Sequence, residues 1–83
     1  MRNYEIGEVK KGGEITKTVF ISDSPIKSAR PGCTSCTKVK ILEGGNIAIT
    51  YRAIDSKGTH TKSITITYED TTTEKITFKV KVN

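Results

Sequence analysis

"NIAITYRA", residues 46–53, decides how the chain is to be read. Ile47, Ile49, Tyr51 and Ala53 alternate with Asn46, Ala48, Thr50 and Arg52. Successive side chains of a strand point to opposite faces, so this period of two makes one apolar face and one polar face. The pattern returns twice downstream. In "HTKSITITYE" (60–69), Ile64, Ile66 and Tyr68 oppose Ser63, Thr65 and Thr67. In "TEKITFKVKVN" (73–83), Ile76, Phe78, Val80 and Val82 oppose Lys75, Thr77, Lys79 and Lys81. Three successive strands of this kind predict antiparallel sheets with one side in water.

Upstream the alternation is less regular. "NYEIGEV" (3–9) brings Tyr4 and Ile6, then Gly7, which inside a strand marks a bulge. "EITKTVFIS" (14–22) aligns Ile15, Val19 and Ile21, with Lys17 breaking the face and Phe20 pointing to the other side, where it needs cover. "PIKSARP" is bounded by prolines, and "TKVKILE" alternates through Val39 and Ile41. Between these runs lie turn clusters: "KKGG", "SDSP", "RPG", "EGGN", "DSKG" and "EDTTT". The reading is seven strands, at 3–9, 14–22, 25–30, 36–42, 46–54, 60–69 and 73–82, with no helix. Seven antiparallel strands in a single domain, residues 1–83, predict an all-β, immunoglobulin-like sandwich. An SH3-like or OB barrel is the alternative, although an OB-fold takes five longer strands. The antibody hallmarks are missing: the chain has no Trp, and its cysteines are too close together to join two sheets.

Composition limits function. Hydrophobic residues are 34% of the chain, enough for one thin core layer and not for a deep substrate pocket. The net charge of +5 suits an anionic partner. The basic residues are eleven Lys and three Arg, scattered, without the clustered Arg and interleaved aromatics of nucleic-acid binders. Nucleic acid is therefore not the expected partner. No run approaches the roughly 20 apolar residues of a membrane span. "MRNYEIGEV" has no apolar core of a signal peptide. The expectation is a chain kept inside the cell that makes it, or one whose leader has been removed.

Cys33 and Cys36, in "RPGCTSCTKVKI", have the spacing of half a zinc site or of a thiol–disulfide pair. Only His60 is left to extend a metal shell. A redox pair needs a helix after the first cysteine, and "TKVKILE" reads as a strand. A local disulfide and a pair of reduced thiols filling a loop both stay open; an intracellular origin favours the thiols. Glu69, Asp70 and Glu74 gather at one turn, the pattern of solvated acids more than of a cation site. His60 has no evident nucleophile, so no catalytic constellation is expected, and no cofactor. The sharpest surface feature is Lys75, Lys79 and Lys81 on the last strand, joined by Arg30 as candidate contacts for an acidic partner. Edge lysines that block sheet aggregation are the other reading.

The order of motifs also resembles a bacterial Ig-like domain family of unknown function, similar to the abnormal-spindle and hydin type of Ig-like domains. Ile6, Gly7, Val9, Gly12 or Gly13, and Phe20 fit its opening. Cys33-Thr34-Ser35-Cys36-Thr37 stands where the family carries Cys-Gly-Cys-Thr, one residue wider. Glu43-Gly44-Gly45 and the strand Ile47 to Tyr51 match its next turn and strand, and Gly58 precedes Ile64 and Ile66 as its glycine does. The resemblance implies a non-enzymatic sandwich module and brings no catalytic residue. The expected role is a structural or interaction module binding a larger protein assembly. The favoured setting is an accessory or decoration protein of a phage virion, on capsid or tail, assembled in the host cytoplasm. The alternatives are an adhesin-like or periplasmic binding module of a bacterial cell envelope, and a small Cys-x2-Cys thiol or metal protein.

Overall fold

The computed structural model describes residues 2–83. Seven strands follow in order: β1 (Arg2–Val9), β2 (Glu14–Phe20), β3 (Ile26–Pro31), β4 (Thr37–Ile41), β5 (Asn46–Arg52), β6 (Gly58–Tyr68) and β7 (Thr73–Val82). A 3-10 turn, Glu43–Gly45, precedes β5. The strands form two packed sheets, ordered β1-β7-β6-β3 and β2-β5-β4. This is the Ig-like sandwich that the alternation predicts. Its body measures 39 × 19 × 19 Å.

The apolar faces meet as expected. Ile47, Ile49 and Tyr51 of β5 are sealed against Ile64 and Ile66 of β6 and Ile76, Phe78, Val80 and Val82 of β7. Tyr51 and Phe78 touch edge to face across the sheets, ring centres 6.3 Å apart. Full burial of each such side chain contributes about 1.5–3 kcal/mol. The glycine in β1 makes the expected bulge. Glu5 pairs with Lys79 and Gly7 with Val80, so Ile6 is the extra residue. The bulge turns both Ile6 and Val9 inward, although they are three residues apart. Gly7 has φ 123°, a conformation that other residues rarely adopt.

Three expectations need correction. First, not every pair is antiparallel: β1 runs parallel to β7. Hairpins force antiparallel neighbours only when the connection is short. β1 and β7 lie at opposite ends of the sequence, so no such constraint acts on them. Second, β7 is not an edge strand, because β1 and β6 flank it. Lys75, Lys79 and Lys81 therefore guard no edge. That role falls to Lys17 of the edge strand β2, which occupies the inward-facing register opposite Ile49 and is nonetheless exposed. Third, Phe20 is not covered; it is 52% exposed.

The turns divide between the two ends. At one end lie residues 10–13, 32–36 and 53–57, laced by Gly12 N to Ala53 O (2.9 Å) and Arg52 N to Cys36 O (2.7 Å). At the other lie 21–25, 42–45 and 69–72, laced by Ile21 N to Gly45 O (2.8 Å) and Glu69 N to Pro25 O (3.0 Å).

Candidate functional site

The outer face of the four-stranded sheet gathers the lysines of the last strand. Along β7, Lys75, Thr77, Lys79 and Lys81 alternate with buried Ile76, Phe78, Val80 and Val82. Along β6 the same face carries Thr59, Thr61, Ser63, Thr65 and Thr67. Register arranges these side chains in rows across the strands, about 4.8 Å apart. One row is Arg30, Thr65 and Lys75, so the structure brings Arg30 beside the lysine set. A second is Ser63, Thr77 and Asn3, in which Thr77 Oγ1 donates to Asn3 Oδ1. A third is Thr61, Lys79 and Glu5. The fourth is Thr59, Lys81 and Glu8, with Lys81 Nζ 3.8 Å from Glu8 Oε1.

The face is therefore not uniformly positive. Near the start of β7 the row of Arg30 and Lys75 is cationic. Farther along the strand, β1 sets Glu5 beside Lys79 in register and Glu8 3.8 Å from Lys81. The strand order alone reveals this, because Glu5 and Lys79 are far apart in sequence and meet through a parallel pairing. Beside the bulge in β1 the face dips into an open depression of about 340 Å³ lined by Glu5, Glu8, Thr59, Lys79 and Lys81. Hydroxyls that donate or accept, cations and two carboxylates on a broad surface are suited to a polar partner. Each exposed ion pair would add about 0.2–1 kcal/mol.

Cys33 and Cys36 are joined in a disulfide, their Cα atoms 5.8 Å apart. Cys36 is buried, and the hydroxyl of the equally buried Thr37 lies 3.4 Å from its sulfur. Thr37 N donates to Cys33 O (3.1 Å), closing the turn that carries the chain from one sheet to the other. The acids near residue 70 do not converge. Asp70 accepts from Thr72 N and Thr72 Oγ1, which hold its carboxyl below the usual range, and Glu74 accepts from Tyr68 Oη (2.6 Å). Among the described residues no three His, Cys, Asp or Glu side chains are placed to hold a metal ion. His60 Nε2 is hydrogen-bonded to Ser56 O (2.6 Å).

The sequence reading passed over Asp55, inside the turn cluster "DSKG". The buried Tyr51 hydroxyl donates to its carboxylate, and Lys62 Nζ lies 3.2 Å away. The Tyr51 hydrogen bond, then Lys62, hold the Asp55 carboxyl below its ordinary range against the opposing effect of burial. Burial first, then Asp55, push the Tyr51 phenol well above its ordinary value. The Tyr-x3-Asp spacing is a signal too common to have singled it out.

No protein-family model matches the chain, and no curated protein matches it. Among solved structures the fold is similar to part of an endo-fucoidan hydrolase of glycoside hydrolase family 107, with a TM-score of 0.75 at 6% identity. All of this chain is covered, and it spans 13% of the length of that enzyme. At this identity the likeness concerns the fold alone.

Proposed function

We propose that this domain is a non-enzymatic docking module that binds a larger protein assembly through the outer face of its four-stranded sheet. The observation that supports this most is the arrangement of that face. Arg30, Lys75, Lys79 and Lys81 stand in register among threonines and serines on this outer face, the lysines on the central strand β7, whose other side forms the core. Rigid strands of this kind hold recognition groups in place at little entropic cost on binding. The preferred partner is an acidic protein surface, and the preferred setting is a virion accessory protein on capsid or tail. The resemblance to non-enzymatic Ig-like modules points the same way.

A second reading is an adhesin-like or envelope module. The Cys33–Cys36 disulfide favours it, since such bonds persist in oxidising compartments. So does the recurrence of this fold as a small portion of a longer chain.

Lysine-directed cross-linking in the native source, read by mass spectrometry, tests the proposal. Cross-links from Lys75, Lys79 and Lys81 to one protein of an assembly are expected. A virion protein as that partner supports the first setting, and a cell-envelope protein the second. Cross-links spread evenly over all eleven lysines would overturn the docking face.

A further inference from the structure

The turns at the two ends of the sandwich carry opposite charge. The turns at one end contain Lys10, Lys11 and Lys57, all exposed, and a single acid, Asp55, which is already engaged by Lys62 and Tyr51. The turns at the other end contain Asp23, Glu43, Glu69 and Asp70, all exposed, and no Lys or Arg. Apolar exposure follows the same division. Among the described residues three large apolar side chains are exposed. Ile54 (53%) lies at the basic end; Phe20 (52%) and Ile41 (39%) lie at or beside the acidic end. Phe20 and Ile41 are the last residues of β2 and β4, so each borders the acidic-end turns.

We propose that copies of this domain associate head to tail, the basic end of one against the acidic end of the next, with Ile54 meeting the Phe20–Ile41 side. The two surfaces differ, so the contact is heterologous and repeats into a linear stack instead of closing as a symmetric dimer. The charges decide the occupant. Two basic ends or two acidic ends repel, whereas basic on acidic places up to three lysines against four carboxylates. The proposal does not depend on the lysine face, which stays exposed along the side of such a stack.

The size of the contact sets its strength. An end of 19 × 19 Å offers roughly 360 Å² per copy, under half of the ~800 Å² per partner of a standard interface. Copies of net charge +5 also repel at long range. The free domain therefore associates only at high concentration, and the stack forms where copies are held close, as by an assembly that raises their effective concentration.

The test is the concentration dependence of backbone amide shifts in nuclear magnetic resonance. Between about 10 µM and about 1 mM, the affinity scale of so small a contact, wild-type shifts should move at both sets of turns together. Two charge-reversed variants follow: Lys10→Glu/Lys11→Glu/Lys57→Glu, and Asp23→Lys/Glu43→Lys/Glu69→Lys. Each alone should lose the effect. A one-to-one mixture should restore it at the same six turns, because acidic ends again find basic ones. The Lys75→Glu/Lys79→Glu/Lys81→Glu variant should keep the effect, which separates this proposal from the docking face. Shifts that do not change with concentration, that change at one end only, or that spread over the sheet faces would overturn it. So would a mixture that stays silent.

Discussion

The two ends of this sandwich are closed by different means. Backbone hydrogen bonds lace both ends, and the basic end adds a covalent bond and a side-chain cluster. The Cys33–Cys36 disulfide ties the crossover between sheets, and Tyr51, Asp55 and Lys62 anchor the turn between β5 and β6. At the acidic end, backbone bonds act with short-range side-chain bonds, Thr72 to Asp70 and Asn46 to Glu43 O among them. Ile21 N and Ser22 N both donate to Gly45 O, and Thr71 N donates to Tyr68 O. Gly44, Gly45 and Thr71 all adopt positive φ there. The acidic end depends on Gly45, where a side chain does not fit, and is indifferent to reductant. The basic end answers to redox state, and each end holds a depressed aspartate, Asp55 or Asp70, that couples it to pH.

The sharpest way to break this comparison is a single methyl group at each end. Gly45 has φ 79°, and a Cβ there would collide with the Ser22 carbonyl. Gly12 at the basic end has φ 87°, with nothing within 4 Å of the same atom. Gly12→Ala should cost about 1–2 kcal/mol from conformation alone. Gly45→Ala adds a backbone displacement and should cost about 3 kcal/mol or more. Urea denaturation midpoints measure both. Equal losses would show that the acidic end yields as readily as the basic one.

Reduction of the disulfide is the next largest effect. For so short a loop the chain-entropy relation gives about 2 kcal/mol. The reduced protein, or the Cys33→Ser/Cys36→Ser variant, should still fold, with faster amide exchange in residues 32–37 and unchanged exchange in 42–45. Stoichiometric zinc in the purified protein, lost in the variant, would instead make the pair a metal site.

Alternation along each strand made the seven strands and the buried set Ile49, Tyr51, Ile64, Ile66, Phe78 and Val80 legible, because the period of two reports which face a residue takes. It does not report which strand lies alongside. The central place of β7, the parallel β1 and the carboxylates beside Lys79 and Lys81 all follow from packing between distant segments. Gly7 was readable as a bulge since the break in pattern is local. Phe20 calls for cover, and about half of it stays exposed. The candidate lysines were visible as a face; their neighbours were not. Asp55 looked like any turn acid, because its partners Tyr51 and Lys62 meet it only once β5 and β6 belong to different sheets.

The smallest predicted effect tests the side-chain anchor itself. Tyr51→Phe keeps the ring against Phe78 and removes the hydroxyl that Asp55 accepts, a loss of about 1–2 kcal/mol near neutral pH. The pH dependence identifies the cause. Asp55 is depressed in the folded state below its ordinary 3.8, so its contribution is present above that pH and is lost as pH falls through the folded value. Tyr51 is raised above its ordinary 10.0, so its contribution is present below pH 10 and is lost as pH rises and the unfolded chain gives up its proton first. Wild-type stability should thus decline on both limbs. In Tyr51→Phe, Asp55 loses the first cause of its depression and retains Lys62, which makes the acid limb shallower, and the alkaline decline due to Tyr51 disappears. Asp70 is also depressed, by Thr72 at the opposite end, and its share of the acid limb is the same in both proteins. The acid limb of the difference between the two stability curves therefore reports the Tyr51–Asp55 contact, while its alkaline limb reports first the burial of the phenol and then that contact. Acid limbs that run parallel from about pH 2.5 to 5, a span of about one unit on either side of the Asp reference value, would mean that the contact carries no weight and that the backbone bonds of the basic end suffice to hold its turn.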